Sequence, residues 1–377
     1  MKIATTTIYL RALAVALLCL AVLVATAQVL NEDDLRKIEL AGNTSTLVEL
    51  ECLPDGHTIW AIGAKGDRIL VIDTISWNVV KTIPIDGFER GATMTASSDG
   101  RYILLKETPP YSDPNKQKDT HLAVLDAATG AVVLDIPSAM DGCLLPVGGA
   151  MATLDDEVVT VRSFSGGKRS FKVAGAACAI AIDPLGKFIA VGLRPTAPQL
   201  QQVPSMRNDK KAMKPALKYR QLIGIYTVED GSVVRIVPAI YDLIQGMHFT
   251  ADGEQLLVFS VPDTRSHMAP GGHVEQVQTE TWEPLRASFM TWTSRPNMAV
   301  CPDGGTLALS SIEGKNKRKL TVYDRTTGDT RLMIDLEQKH RYDKAEGELH
   351  DARLGYAWLP DGRLLIAQGP SLGCYRP

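Results

Sequence analysis

Gly369-Pro370-Ser371-Leu372-Gly373 fits the G-x-S-x-G pattern, in which a serine nucleophile stands on a strand-to-helix elbow. Such a serine needs an acid and a histidine further along the chain, and only Cys374, Tyr375, Arg376 and Pro377 follow. A glycine-rich turn between two strands fits the stretch better. Two histidine-bearing segments offer metal chemistry: His267 and His273 with Asp263 and Glu275, and His340 and His350 with Asp343, Glu346, Glu348 and Asp351. Neither has the i, i+4 helical spacing or a known ligand pattern of a zinc site, and no calcium-loop motif is present. No catalytic residue, metal ligand or cofactor is therefore assigned. Cations form a different kind of group. Lys116 and Lys118 lie in one polar insertion. Arg207, Lys210, Lys211, Lys214, Lys218 and Arg220 lie in another, against a single Asp209. Lys315, Lys317, Arg318 and Lys319 lie in a third. Their chemistry is attraction of an anionic partner.

The elements that would hold these residues follow a repeat. Pro54-Asp55-Gly56, Ser98-Asp99-Gly100, Ala251-Asp252-Gly253, Pro302-Asp303-Gly304 and Pro360-Asp361-Gly362 are five copies of one turn, with Asp183-Pro184-Leu185-Gly186 a looser sixth. Each stands between two apolar-alternating runs. Aspartate bonds its own backbone two residues on, and glycine accepts positive φ. Gly56 and Gly100 are 44 residues apart, and Gly100 and Gly186 are 86 apart, which is two units. A period of this length with four short strands predicts an all-β, seven-bladed β-propeller of four-stranded antiparallel blades. The blades fall near 46–84, 91–137, 141–174, 177–238, 243–289, 295–335 and 353–377. Blade three lacks the Asp-Gly turn. Blade seven has room for three strands, and an N-terminal strand within 33–40 (LRKIEL at 35–40) is expected to supply the fourth and close the ring.

Before the repeat, Lys2 and Arg11 flank the apolar run 12–24, and Ala25-Thr26-Ala27 supplies small residues at a cleavage site. This reads as a signal peptide over 1–27, and the run is shorter than a bilayer span prefers. The propeller domain is then 28–377, with 38 basic and 43 acidic side chains, a net charge of −5. No global basic footprint for nucleic acid is left, nor a second apolar segment long enough to span a membrane. Cys52, Cys143, Cys178, Cys301 and Cys374 are an odd, widely spaced set and make no disulfide framework.

The stretch DRILVIDTISWNVVKTIPI, followed by SSDGRYILL, resembles the YVTN and WD-repeat-like propellers of secreted bacterial proteins. The resemblance implies the same fold and a secreted or periplasmic location. Its members include adhesion proteins, lactonase-like enzymes and propeller subunits of periplasmic dehydrogenases, so it implies no one activity.

In a four-stranded meander the a–b and c–d turns lie on one rim of the ring. The b–c loops and the links between blades lie on the other. The Asp-Gly turns are all a–b and short. The insertions 107–118, 194–220, 261–271 and 312–318 are b–c, and the link 336–352 joins them. The three basic groups therefore share the elaborated rim, where loops on a rigid scaffold concentrate binding residues. The expected function is a secreted or periplasmic binding or protein-interaction module, with an unknown protein or an anionic envelope ligand held on the b–c face. The alternative, a lactonase-like hydrolase or dehydrogenase subunit, rests on the resemblance.

Overall fold

The computed structural model of the chain describes residues 27–88, 91–108, 120–146, 149–262, 272–291, 298–313, 317–336 and 354–376. The expected signal peptide lies outside them, apart from its last residue.

Seven sheets form the ring. Their innermost strands are Leu47–Cys52, Ala92–Ala96, Asp141–Leu144, Ala177–Ile182, Leu243–Phe249, Met298–Val300 and Tyr356–Trp358, for blades one to seven. Each sheet runs outward from strand a to strand d as an antiparallel meander. Blade three is a regular four-stranded sheet despite its missing Asp-Gly turn. In blade five the outer strand is broken into Glu283–Pro284 and Phe289–Thr291, both paired with Gly272–Gln278.

Period-two alternation explains why the inner strands read as nearly continuous apolar runs. In the strand Thr58–Gly63, Ile59 and Ala61 face blade seven, while Trp60 and Ile62 face blade two. Both faces of each blade are thus buried against a neighbour, which removes the need for polar alternation. The core is accordingly seven clusters, one per blade interface, rather than one centre. The outer strands show the alternation again: Val79–Pro84 exposes every second residue.

The a–b turns work as their sequence predicts. Their glycines have φ between +67° and +83°. Asp55 Oδ1 accepts from His57 N at 2.8 Å and Thr58 N at 3.0 Å. In the looser copy Asp183 stands earlier in the turn and accepts from Lys187 N and Phe188 N. In five blades the c–d turn then donates a backbone N–H to the residue after the turn glycine. The pairs are Thr74 to His57, Ala127 to Arg101, Val228 to Lys187, Thr279 to Glu254 and Arg325 to Gly305. Neighbouring turns also touch: a Cβ on Gly100 would lie 3.3 Å from Pro54 Cδ of the preceding blade.

The ring closes through the N-terminal segment. Arg36–Ile38 pairs antiparallel with Ser371–Tyr375 and completes blade seven, as expected. A second attachment was not legible in the sequence. Gln28–Asn31 pairs parallel with Thr330–Leu336 and gives blade six a fifth strand. Four residues, QVLN, are too few to show a period.

Two expectations about the elaborated rim need correction. The blade-four insertion is helical, with α1 at Ala197–Gln202 and α2 at Lys210–Tyr219. Lys317, Arg318 and Lys319 are not loop residues. They begin the strand Lys317–Asp324, because alternation through Arg318, Leu320 and Val322 continues the face turned to blade seven.

Candidate functional site

The helix α2 carries the densest group of the predicted basic residues. Asp209 caps its N-terminus, accepting from Lys211 N at 3.0 Å and Ala212 N at 2.9 Å. This satisfies two of the amides that a helix start leaves open. Ala216 is buried and Met213 and Leu217 are half-buried, so one side of α2 rests on the protein. Lys210, Lys214 and Lys218 follow at intervals of four and form one ridge, with Lys211 beside it. These four and Arg207 are exposed. The ridge is about 12 Å long at 1.5 Å per residue. The Lys218 ammonium also sits 5.0 Å from the centre of the Tyr219 ring.

The other basic residues are placed differently. Arg318 is buried, at 4% exposed. Lys319 is half-buried, and its Nζ lies 4.0 Å from Asp335. Neither presents a free charge on the rim. Lys116, Lys118 and Lys315 lie outside the described residues, as does the Lys317 side chain. The structure therefore places one basic group, on α2, as an exposed surface.

At the C-terminal end of α2 is a partly buried polar group. Arg220 pairs with Asp242 at the start of blade five, and Glu275 lies nearby. Burial, then the Asp242 charge, pushes the Glu275 carboxyl up to about 7. Two more charged contacts tie the b–c side together. Lys106 Nζ is 2.6 Å from Asp141 across blades two and three. His121 Nε2 is 2.6 Å from Asp135, and its Nδ1 is 3.0 Å from Gly87 O.

Sequence reasoning did not anticipate the second candidate, the central channel. It holds a cavity of about 430 Å³, reaching from Glu107 and Thr108 at the b–c side to Cys52 and Val300 near the a–b side. Glu49 and Glu51 stand two apart on the innermost strand of blade one, so both face this space. Glu49 Oε1 accepts from Met94 N at 3.3 Å, and Glu51 Oε1 accepts from Ala96 N at 2.7 Å. The two carboxylates thus hold blade two by a short ladder. Burial pushes the Glu51 carboxyl up to about 8, against the lowering effect of the Ala96 bond, with Glu49 adding to the rise. His248 lines the same space and is exposed to it. Desolvation by the surrounding channel wall, then the Arg325 charge, lowers its pKa. The signal for this site was the polar pair inside Leu-Val-Glu-Leu-Glu-Cys, which reads equally well as a solvent face.

The remaining sequence candidates separate cleanly. Ser371 is 2% exposed inside a strand, and its hydroxyl donates to Gln368 O at 3.0 Å. No helix follows it, so the nucleophile elbow is not formed. His273 and Glu275 share a strand, whereas His267, His340 and His350 fall outside the described residues. Among the described residues no group of three or more His, Cys, Asp or Glu is arranged to hold a metal. The five described cysteines are unpaired. Burial pushes the Cys52 and Cys178 thiols up to about 12, far from thiolate chemistry at neutral pH. No helix among the described residues is long and apolar enough to cross a membrane.

Shape comparison supports the class. The β-propeller domain of Cps50 (Swd1) from Myceliophteria thermophila superposes with a TM-score of 0.59 at 13% identity, over 90% of this chain and 99% of that one. At that identity the likeness shows the fold alone. As 1307 solved chains match in shape, the fold by itself does not select an activity. No family model and no curated protein sequence matches. The protein is a seven-bladed β-propeller.

Proposed function

We propose that the protein is a secreted or periplasmic binding module that engages an anionic envelope partner through the ridge Lys210, Lys211, Lys214 and Lys218. The observation that carries this reading is the one-sided build of α2. Its four lysines point to solvent, and no acidic residue lies in its first turn. A row of like charges costs helix stability at i, i+4 spacing, so a partner that neutralises it gains from a surface already arranged. The location rests on the N-terminal sequence and on the resemblance to secreted YVTN-type propellers.

The partner chemistry favoured is an acidic polysaccharide. The lysines recur along one side of the helix, and Ala216 is buried with Met213 and Leu217 half-buried, which leaves little apolar surface to insert into a bilayer. The test is retention of purified protein on an acidic polysaccharide matrix, with anionic vesicles in parallel. Replacing the four lysines by alanine is expected to abolish retention on the matrix and leave the fold intact. Equal retention of the variant overturns the reading. Binding to vesicles but not to polysaccharide assigns the ridge to lipid instead.

A further inference from the structure

The channel cavity belongs to neither the ridge nor the blade interfaces. Its volume, about 430 Å³, is in the range of small-molecule sites. Its wall joins two kinds of chemistry. Glu49, Glu51 and Glu107 supply carboxylates, while Met94, Met247 and Trp358 supply soft and aromatic surface.

Among the described lining residues Lys106 is the one lysine or arginine, and it is held by Asp141 at 2.6 Å. Asp141 is fixed in turn by Gly142 N at 2.8 Å and Ile180 N at 2.9 Å. His248 is disfavoured as a cation by desolvation and by Arg325. The carboxylates are oriented rather than loose. Met94 N and Ala96 N, two residues apart on blade two, fix Glu49 and Glu51 through one oxygen each. Glu51 Oε2 has no protein donor among the described residues, so it is available to a ligand. We propose that the channel cavity binds a small organic cation, an alkylammonium group whose charge meets Oε2 of Glu51 and whose carbon body lies against Met94, Met247 and Trp358.

A hydrated metal ion fits less well. Calcium asks for six to eight oxygens, and the described residues hold no cluster of three or more metal donors. A substituted ammonium uses both halves of the wall, the Glu51 carboxylate by charge and the aromatic and thioether surface by cation–π and dispersion contact.

Binding also has a proton signature. Burial pushes the Glu51 carboxyl up to about 8, which favours its protonated form near pH 7. A cation at Glu51 favours the carboxylate and expels that proton. Affinity should therefore rise from pH 6 to pH 9, and complex formation at pH 7 should release protons.

The experiment is calorimetric and ligand-observed NMR titration of the purified protein with butylammonium and tetramethylammonium. Butanol and butyrate are the neutral and anionic controls. The cations are expected to bind at least about tenfold more tightly than either control, a difference of roughly 1.4 kcal/mol. Calorimetry at pH 7 in two buffers of different ionisation enthalpy should show proton release. Glu51→Gln keeps an oxygen for Ala96 N and should lose about tenfold in affinity together with the proton release. The four-lysine variant of α2 should bind as the parent does, which separates this site from the ridge. Cations that bind no better than butanol, or binding in the parent without proton release, overturn the proposal. The second outcome needs no variant and stands even if Glu51→Gln folds poorly.

Discussion

At the a–b rim each turn is short and closed by backbone hydrogen bonds. At the b–c rim the strands run into insertions, and charged side-chain contacts add to the backbone bonds, among them Lys106 of blade two with Asp141 of blade three and Arg220 of blade four with Asp242 of blade five. The same strands end at both rims, so the contrast comes from the connections. On the first side, aspartate and glycine satisfy the local backbone, and Thr74 N to His57 O has counterparts in four other blades. On the second, Lys106–Asp141, Arg220–Asp242 and His121–Asp135 join residues that no repeat prescribes. Turns built on positive-φ glycine are intolerant of altered φ, whereas exposed charges on the elaborated rim respond to salt and leave its loops free to vary.

The sharpest test of that contrast is Gly231→Ala in the c–d turn of blade four, on the plain rim. Gly231 has φ +73°, and an added Cβ would overlap Phe171, whose own Cβ is 2.6 Å from that position. We expect a loss of about 3 kcal/mol in chemical denaturation, with polysaccharide retention of the folded protein unchanged. A variant that loses retention but not stability would reverse the assignment of the rims.

On the opposite rim, the combined change of Lys210, Lys211, Lys214 and Lys218 to alanine should weaken polysaccharide binding about tenfold or more. The melting temperature should stay within about 2 °C, since exposed charges contribute little to folding. Binding by the parent should fall steeply as salt rises from 0.05 M to about 0.5 M, because solvent-exposed charges are screened. Salt-independent binding would show that something other than the ridge is responsible.

A smaller effect is expected for Gly100→Ala. Its φ of +69° and the 3.3 Å approach to Pro54 predict a cost of about 1 kcal/mol by thermal or chemical melting. A neutral result would mean that the plain rim tolerates more than its regularity suggests.

The smallest effect is a pH dependence. His121 touches two acceptors, Gly87 O and the Asp135 carboxylate, so the doubly protonated ring is the form that fits. Partial burial opposes that charge, but the two bonds outweigh it, and the pKa is raised. Glu107, whose Oε2 accepts from His121 N at 3.4 Å, adds to the rise. The stabilisation is therefore complete below the unfolded value near 6.5 and disappears as pH rises through the folded one. His121→Gln should lower the melting temperature at pH 5.5 and approach the parent at pH 8.5. A difference that grows with pH would show that the neutral ring is the one bound.

How much of this was legible depends on how local the determinant is. The Asp-Gly turn is set by a few adjacent residues, so the blade register and the placement of the insertions could be read directly. Blade three was harder because its a–b turn uses other residues, with Gly149 at φ +59° in place of an Asp-Gly pair. In the blade-four insertion, charge density suggested loop. The helix rests on the Asp209 cap and on burial of Ala216, which depends on where the segment lies. Arg318 looked like one more exposed cation, yet its strand turns it toward blade seven. The channel was the least legible. Glu49 and Glu51 face a space that exists only when seven blades meet, and no window of the sequence contains it.

The N-terminal attachment also bears on the order of events during folding. Glu32 O accepts from Gln368 Nε2, a residue 336 positions away, and Pro370 O accepts from Asn43 Nδ2, 327 positions away. During synthesis the first strands to emerge must wait for the last before either sheet is complete. Bringing such distant segments together costs on the order of 5 kcal/mol in chain entropy, and so non-local a topology slows folding. Once made, the closure works in reverse. Residues 28–38 hold blades six and seven at once, so this segment cannot peel away without opening two sheets.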